Sequence, residues 1–172
     1  MLELDDGTRL VQTEPILEYL NAALCKDALQ QNDDPLVQYN ASCLKAYYLY
    51  DFLVKIFFPT LLAPAEKKEE MMQALIKEHV PKLMDHTERK LPDTKFLLGD
   101  KMGQQDLDIA VFFTNMYQKK EDDKLKDLKE TFDKILNDGQ HNKLLAYVNN
   151  LREVLKDHLA SRPVCSFWII KS

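Results

Sequence analysis

Glycine is scarce in this 172-residue sequence, which has only Gly7, Gly99, Gly103 and Gly139. Loops that cradle phosphate need closely spaced glycines, because their backbone must approach an anion with no Cβ in the way. The nearest pair, Gly99 and Gly103, is one residue too close for a P-loop and is followed by Gln104, and no G-x-G-x-x-G occurs. Kinase, GTPase and dinucleotide-dependent dehydrogenase chemistry are thereby excluded. Positive charge is short as well. Against 28 acidic residues stand 23 basic ones, mixed along the chain for a net charge of -5, so no field is available to hold nucleic acid. Cysteine is limited to Cys25, Cys43 and Cys165, an odd number without a C-x-x-C pair, which argues against a disulfide framework or a zinc ribbon and for a reducing compartment. Buried structural thiols are expected at Cys25 and Cys43. Apolar runs of membrane-spanning length are missing, and the acidic start MLELDDG is neither a secretory signal nor an Arg-rich transit peptide. A soluble, cytoplasmic protein is expected.

What is present is a chain with 45% hydrophobic and 30% charged residues, long enough for one domain with a small attachment. Leu2 and Leu4 alternate with acidic residues, Asp6-Gly7 suits a turn, and Leu10-Val11 begins a second apolar stretch, which together predict a β-hairpin. Thr13-Glu14-Pro15 then supplies a capping hydroxyl, a first-turn carboxylate and an early proline, predicting a helix from about residue 14 that buries Ile16, Leu17, Leu20, Ala23 and Leu24.

After a polar break at residues 30–34 the spacing is helical almost to the end. Leu36, Tyr39, Cys43, Tyr47, Tyr50, Val54 and Phe57 recur at steps of three or four and predict one long helix to about Pro59. A second runs from Met72 through Leu75, Ile76, His79, Val80 and Leu83 to Leu91, with a kink expected at Pro81. Following a loop over 92–103, the segment 104–117 is apolar nearly all round, as befits a helix at the centre of a bundle. Leu125, Leu128, Phe132, Ile135 and Leu136 predict a surface helix stopped by Gly139, and Leu144 through Leu159 predict one or two more, ended by Arg162-Pro163.

The order of hairpin, capped helix and all-helical remainder resembles the cytosolic glutathione transferases, on the sigma, mu or alpha-like side of that family. Three stretches carry the resemblance. MLELDDGTRLVQTEPILEYL is similar to the last two strands and third helix of the family's thioredoxin-like domain, with Gln12-Thr13-Glu14-Pro15-Ile16 in place of its Gln-Ser-x-x-Ile. FLLGDKMGQQDLDIA, from Phe96 to Ala110, is similar to its F-L-x-G-x-x-[ST]-x-x-D-x-x-x-A signature, and residues 141–163 to its final helices. The implied fold is mainly α: a partial thioredoxin-like hairpin and helix over residues 1–30, followed by the family's all-helical C-terminal bundle over 35–172.

The resemblance also implies a ligand. In the family the Gln and Ser at this place hold the γ-glutamyl end of glutathione, so Gln12 and Thr13 are glutathione candidates here, and the unpaired N–H groups of a helix start suit a carboxylate independently. The alternative for Thr13 is a plain helix cap. Asp51 stands where relatives place an acidic residue that reaches across a homodimer to glutathione's amino group; the alternative is a solvated helix charge. Tyr47, Tyr48 and Tyr50 fall where the second-substrate pocket is lined, or else belong to the core. Met102, Gly103, Asp106 and Leu107 are structural candidates. With Gly103 as N-cap, Asp106 at N3 can reach back to the cap N–H, and Met102 and Leu107 can form a hydrophobic staple.

In the same alignment Met1 falls just after the family's cis-proline. The preceding strand, helix and strand, with the Tyr, Ser or Cys that activates the thiol, are therefore expected to be absent, and no residue here is assigned a catalytic role. Two function classes follow: a transferase in which the glutathione thiolate attacks an electrophile, or a non-catalytic scaffold. The edge of the Met1–Leu4 strand and the apolar tail CSFWIIKS are the expected docking features, although the tail has the alternative of folding back over its own bundle. His79 and His86 share a face, but no Cys or carboxylate pair completes a tetrahedral set with them, so no metal is expected.

Overall fold

The computed structural model describes residues 1–24, 29–116 and 125–161. Strands β1 (Leu2–Glu3) and β2 (Arg9–Leu10) pair antiparallel, with Leu2 opposite Leu10 and Glu3 opposite Arg9. Alternation of side chains puts the two half-buried leucines on one face and the Arg9–Glu3 ion pair, 2.9 Å, on the other. The turn closes with Gly7 at φ 84°, a left-handed conformation that suits glycine. Helix α1 (Thr13–Leu24) follows. Its expected apolar stripe is only partly covered: Ile16 and Leu20 are half-buried, while Leu17 and Ala23 are exposed. The hairpin it follows, with two residues per strand, has little surface to cover them.

The first long helix is α2 (Pro35–Ala46), a π-helical stretch π1 (Tyr47–Phe57) and a last turn α3 (Phe58–Leu61). The next is α4 (Ala65–Ala74), π2 (Leu75–His79) and α5 (Val80–Lys90). In both, the residue just before a proline bonds five residues back: Phe58 N–H to the Leu53 carbonyl before Pro59, and Val80 N–H to the Leu75 carbonyl before Pro81. The wider turn accommodates the missing proline N–H and its ring without ending the helix, so the first helix continues past Pro59 to Leu61.

This geometry also moves the buried face of the first helix. Ala41, Leu44, Tyr48, Phe52, Leu53 and Phe57 are its buried apolar residues. The expected stripe is instead largely exposed at Leu36, Tyr39, Cys43, Tyr50 and Val54. Cys43 is therefore not a buried structural thiol. Two apolar stripes share this helix, and α6 (Gln104–Met116) packs on the one that contains the small Ala41.

Helix α6 lies at the centre, with Ile109, Ala110, Phe112 and Phe113 buried and only Val111 of its apolar middle exposed. Around it stand α7 (Lys126–Leu136), which buries Leu128, Phe132 and Leu136, and α8 (Asn142–Val154), which buries Leu144, Tyr147, Val148 and Leu151; α9 (Lys156–Ser161) continues from α8. Gly139, at φ 83°, turns the chain between α7 and α8. Cys25, Cys165, Arg162-Pro163 and the apolar tail lie outside the described residues.

His141 locks the α7–α8 corner. Its buried ring places Nε2 2.9 Å from Asp85 Oδ1 on α5 and Nδ1 3.2 Å from Asp138 Oδ1. Burial pulls its pKa down, but the hydrogen bonds and charges of Asp85 and Asp138 outweigh this and hold it above the ordinary 6.5. A proton bound more tightly by the folded chain stabilises it fully below the unfolded pKa and ceases to do so as pH rises through the folded one. The stability that His141 contributes should therefore be lost as pH rises above the ordinary 6.5 and through its raised folded value. His141→Asn should flatten this decline in melting curves recorded across that range.

Candidate functional site

Two places on this scaffold gather polar groups with a chemical purpose. The first is the start of α1. The Gln12 carbonyl accepts from the Ile16 N–H at 3.3 Å, which makes Gln12 the N-cap residue. Gln12 is also the one non-glycine residue with positive φ, 73°, among the described residues. An exposed glutamine held in the left-handed region carries strain that a plain cap does not need, and such strain concentrates where backbone must face a ligand. The N–H groups of Thr13 and Glu14 lie in the first turn with no intrahelical acceptor, and Pro15 has none to offer. They and the positive end of the helix dipole suit a carboxylate. The Thr13 side chain lies outside the described part of the structure.

The second place holds the start of α6. Gly103 N–H donates to Asp106 Oδ2 at 2.8 Å, and the Gly103 carbonyl accepts from Leu107 N–H at 3.3 Å. Asp106 Oδ1 accepts from Leu97 N–H at 3.0 Å and from the Tyr147 hydroxyl at 2.8 Å. One fully buried carboxylate thus ties the 92–103 loop, the helix start and α8 together. Burial pushes the Asp106 carboxyl up, opposed by these three donors, and burial also pushes the Tyr147 phenol well up, reinforced by the Asp106 charge. Met102 and Leu107 flank the cap, both half-buried.

Gly103 at the cap has a steric reason. A Cβ there would sit 3.0 Å from Leu98 Cδ1 and 3.4 Å from the Gln30 carbonyl. The connection after α1 lies against this turn, with Gln30 N–H donating to the Met102 carbonyl at 3.0 Å and Asn32 Nδ2 to the Leu98 carbonyl at 2.8 Å. Gly103→Ser, although it restores a favoured capping side chain, should destabilise the protein by about 1 kcal/mol through this crowding. A raised midpoint in urea unfolding would contradict the steric account.

Asp51 is exposed on π1 and pairs with Lys55 one turn on; no hydrogen bond or ion pair joins it to α1 among the described residues. The tyrosines separate. Tyr48 is a core residue whose hydroxyl finds no hydrogen-bond partner among the described residues, and Tyr50 is half exposed. Tyr47 stacks on His86 of α5, with ring centroids 3.9 Å apart at 26°. Burial raises the Tyr47 phenol, as does Asp51, against Arg89; burial lowers His86, as do Lys90 and Arg89, so both rings favour their neutral forms. Among the described residues no group of three or more His, Cys, Asp or Glu is placed to hold a metal ion, and no helix is long and apolar enough to cross a membrane.

Comparison with known families decides what this arrangement belongs to. The family described as "Glutathione S-transferase, C-terminal domain" matches residues 50–163, from π1 through α9 and including the Gly103–Asp106 turn. The chain belongs to the glutathione S-transferase family. No curated protein and no solved structure matches it. Its fold is accordingly the transferase C-terminal helical bundle, preceded by a partial thioredoxin-like hairpin and helix. Tyr147, as a partner of Asp106, escaped the sequence reading, although its place between Leu144, Val148 and Leu151 marks an inward-facing position.

Proposed function

We propose that this protein binds glutathione at the start of α1, with the γ-glutamyl carboxylate on the Thr13 and Glu14 N–H groups and with Gln12 and the Thr13 hydroxyl as side-chain partners. The observation that carries the reading is the strained Gln12 backbone at φ 73°, in a chain of transferase family. The chemistry in view is the family's own, attack of the glutathione thiolate on an electrophile, with the sigma, mu or alpha-like branch as the nearest kin. The hairpin and α1 form the glutathione-holding part over 1–30 and the helices the body over 35–172. Asp51 serves glutathione of a second copy across a homodimer, and the stacked Tyr47 lines the electrophile's side. No residue of this sequence is assigned the step that activates the thiol. A cytoplasmic location suits the ligand, since glutathione is the cytosol's reducing thiol.

A second reading, a non-catalytic scaffold, draws on the exposed apolar stripe Leu36, Tyr39, Cys43, Tyr50 and Val54 and on the hairpin edge, both suited to another chain. Calorimetric titration with glutathione should show binding that Thr13→Val weakens about ten-fold, the loss of one hydrogen bond to a charged group. Absence of binding overturns the proposal. Conjugation of glutathione to 1-chloro-2,4-dinitrobenzene by the 172-residue protein separates the readings, because turnover refutes the scaffold.

A further inference from the structure

The turn between α7 and α8 sets one imidazole between two carboxylates. His141 is the N-cap residue of α8, yet its side chain makes no capping bond. Glu88, reaching across from α5, does that work: its Oε1 accepts from the Lys143 N–H at 3.1 Å and its Oε2 from the Leu144 N–H at 2.7 Å. The His141 ring is left to face Asp85 through Nε2 and Asp138 through Nδ1. Asp85 and Glu88 are neighbours one turn apart on α5, so two carboxylates of one helix hold this corner, and only Asp85 does so through a group that titrates near neutral pH. Of the other charged groups here, Lys143 Nζ is turned to Asp93, Arg89 Nε to the Asp85 carbonyl, and Asp133 of α7 receives Asn137 Nδ2.

A neutral imidazole has one N–H and one bare lone pair, whereas the imidazolium has two N–H groups. With a carboxylate oxygen 2.9 Å from one nitrogen and 3.2 Å from the other, only the imidazolium satisfies both. Once the proton leaves, one carboxylate faces a lone pair and is repelled. The two are not equally able to withdraw. Asp138 Oδ1 also accepts from the Gln140 N–H at 2.7 Å, which pins it within its own turn, three residues from the ring. The Asp85 side chain is 61% exposed, and its carboxylate has no second hydrogen bond among the described residues, so it can turn into water.

We infer that His141 is a one-sided pH latch: protonated, it ties α5 to the α7–α8 turn, and on losing the proton it keeps Nδ1–H on Asp138 and lets Asp85 go. The neutral ring is the Nδ1–H tautomer, with its bare Nε2 toward α5. The turn then loosens from α5 at Asp85, while Glu88 keeps its hold on the first turn of α8. The stabilisation lost at higher pH therefore has a place in the fold, a single contact between residues 56 apart in sequence.

The test is an NMR pH titration of the full chain labelled with ¹⁵N-histidine, followed at the imidazole nitrogens; the His141 pair is the one that His141→Asn removes. In the parent, Nε2 should move to the position of an unprotonated nitrogen while Nδ1 keeps its proton. Asp85→Asn should lower the midpoint and keep this tautomer, because the carboxamide can turn its NH₂ to the bare Nε2. Asp138→Ala should reverse the tautomer, leaving Nε2–H on Asp85. Protection of the Lys143 and Leu144 amides against hydrogen exchange, corrected for pH, should be the same on either side of the parent's midpoint. The inference is overturned if Nδ1 is the nitrogen that loses its proton in the parent, if Asp85→Asn leaves the midpoint unmoved, if Asp138→Ala retains the Nδ1–H tautomer, or if the Lys143 and Leu144 amides lose protection as the ring titrates.

Discussion

Asp106→Ala is expected to lower the unfolding free energy by about 4 kcal/mol, a loss on the scale of a broken buried network. The carboxylate is fully buried and accepts from three donors, the N–H groups of Leu97 and Gly103 and the Tyr147 hydroxyl. Alanine leaves all three in a dry site, and each unsatisfied donor costs about 1–3 kcal/mol. Asparagine is a poor substitute, because turning its oxygen toward Leu97 and Tyr147 points its NH₂ at the Gly103 N–H. Tyr147→Phe removes one bond and should cost about 1 kcal/mol. Denaturant unfolding of the two single variants and the double variant should show a sum larger than the double, since both singles break the same contact. Additive losses would mean that Asp106 and Tyr147 act independently.

Phe112→Ala should cost about as much, roughly 4 kcal/mol, by a different mechanism. Its ring stands edge-on to Tyr48, Phe52, Phe57, Phe113 and Phe132, with centroids between 5.4 and 6.0 Å away. These rings come from π1, α6 and α7, so the space left by alanine lies between three elements that cannot all close on it. The neighbouring Val111 is half exposed, and Val111→Ala should stay within about 0.5 kcal/mol. Urea midpoints compare the two directly. A Phe112 variant as stable as the Val111 variant would place the core elsewhere.

The contrast between these adjacent residues shows what a sequence conveys. Residues 104–117 read as apolar nearly all round, which correctly puts this helix at the centre, but periodicity gives no way to single out Val111 as the exposed position. The first long helix shows the same limit. Leu36, Tyr39 and Cys43 keep as good a helical spacing as Ala41, Leu44 and Tyr48, and the choice was made by where α6 packs and by the wider turns of π1. The hairpin, the start of α1 and the bundle were legible because turn residues, caps and apolar spacing act within a few residues. Asp106 illustrates the boundary. Its relation to Gly103 spans three residues, but its bonds to Leu97 and Tyr147 span 9 and 41, and only the assembled bundle brings these together. Around α1 the helix start could be read from Thr13-Glu14-Pro15, but the N-cap is Gln12 and not Thr13, and the strain at Gln12 could not be read, since a positive φ leaves no mark in a glutamine codon.

The start of α1 is also where the functional account is most exposed to test. With the ¹⁵N-labelled protein, glutathione should shift the backbone amide signals of Thr13 and Glu14 in a saturable way. Cysteinylglycine, which lacks the γ-glutamyl carboxylate, should leave both unmoved. Unperturbed amides with glutathione, or equal shifts with cysteinylglycine, would contradict a γ-glutamyl site at this helix start.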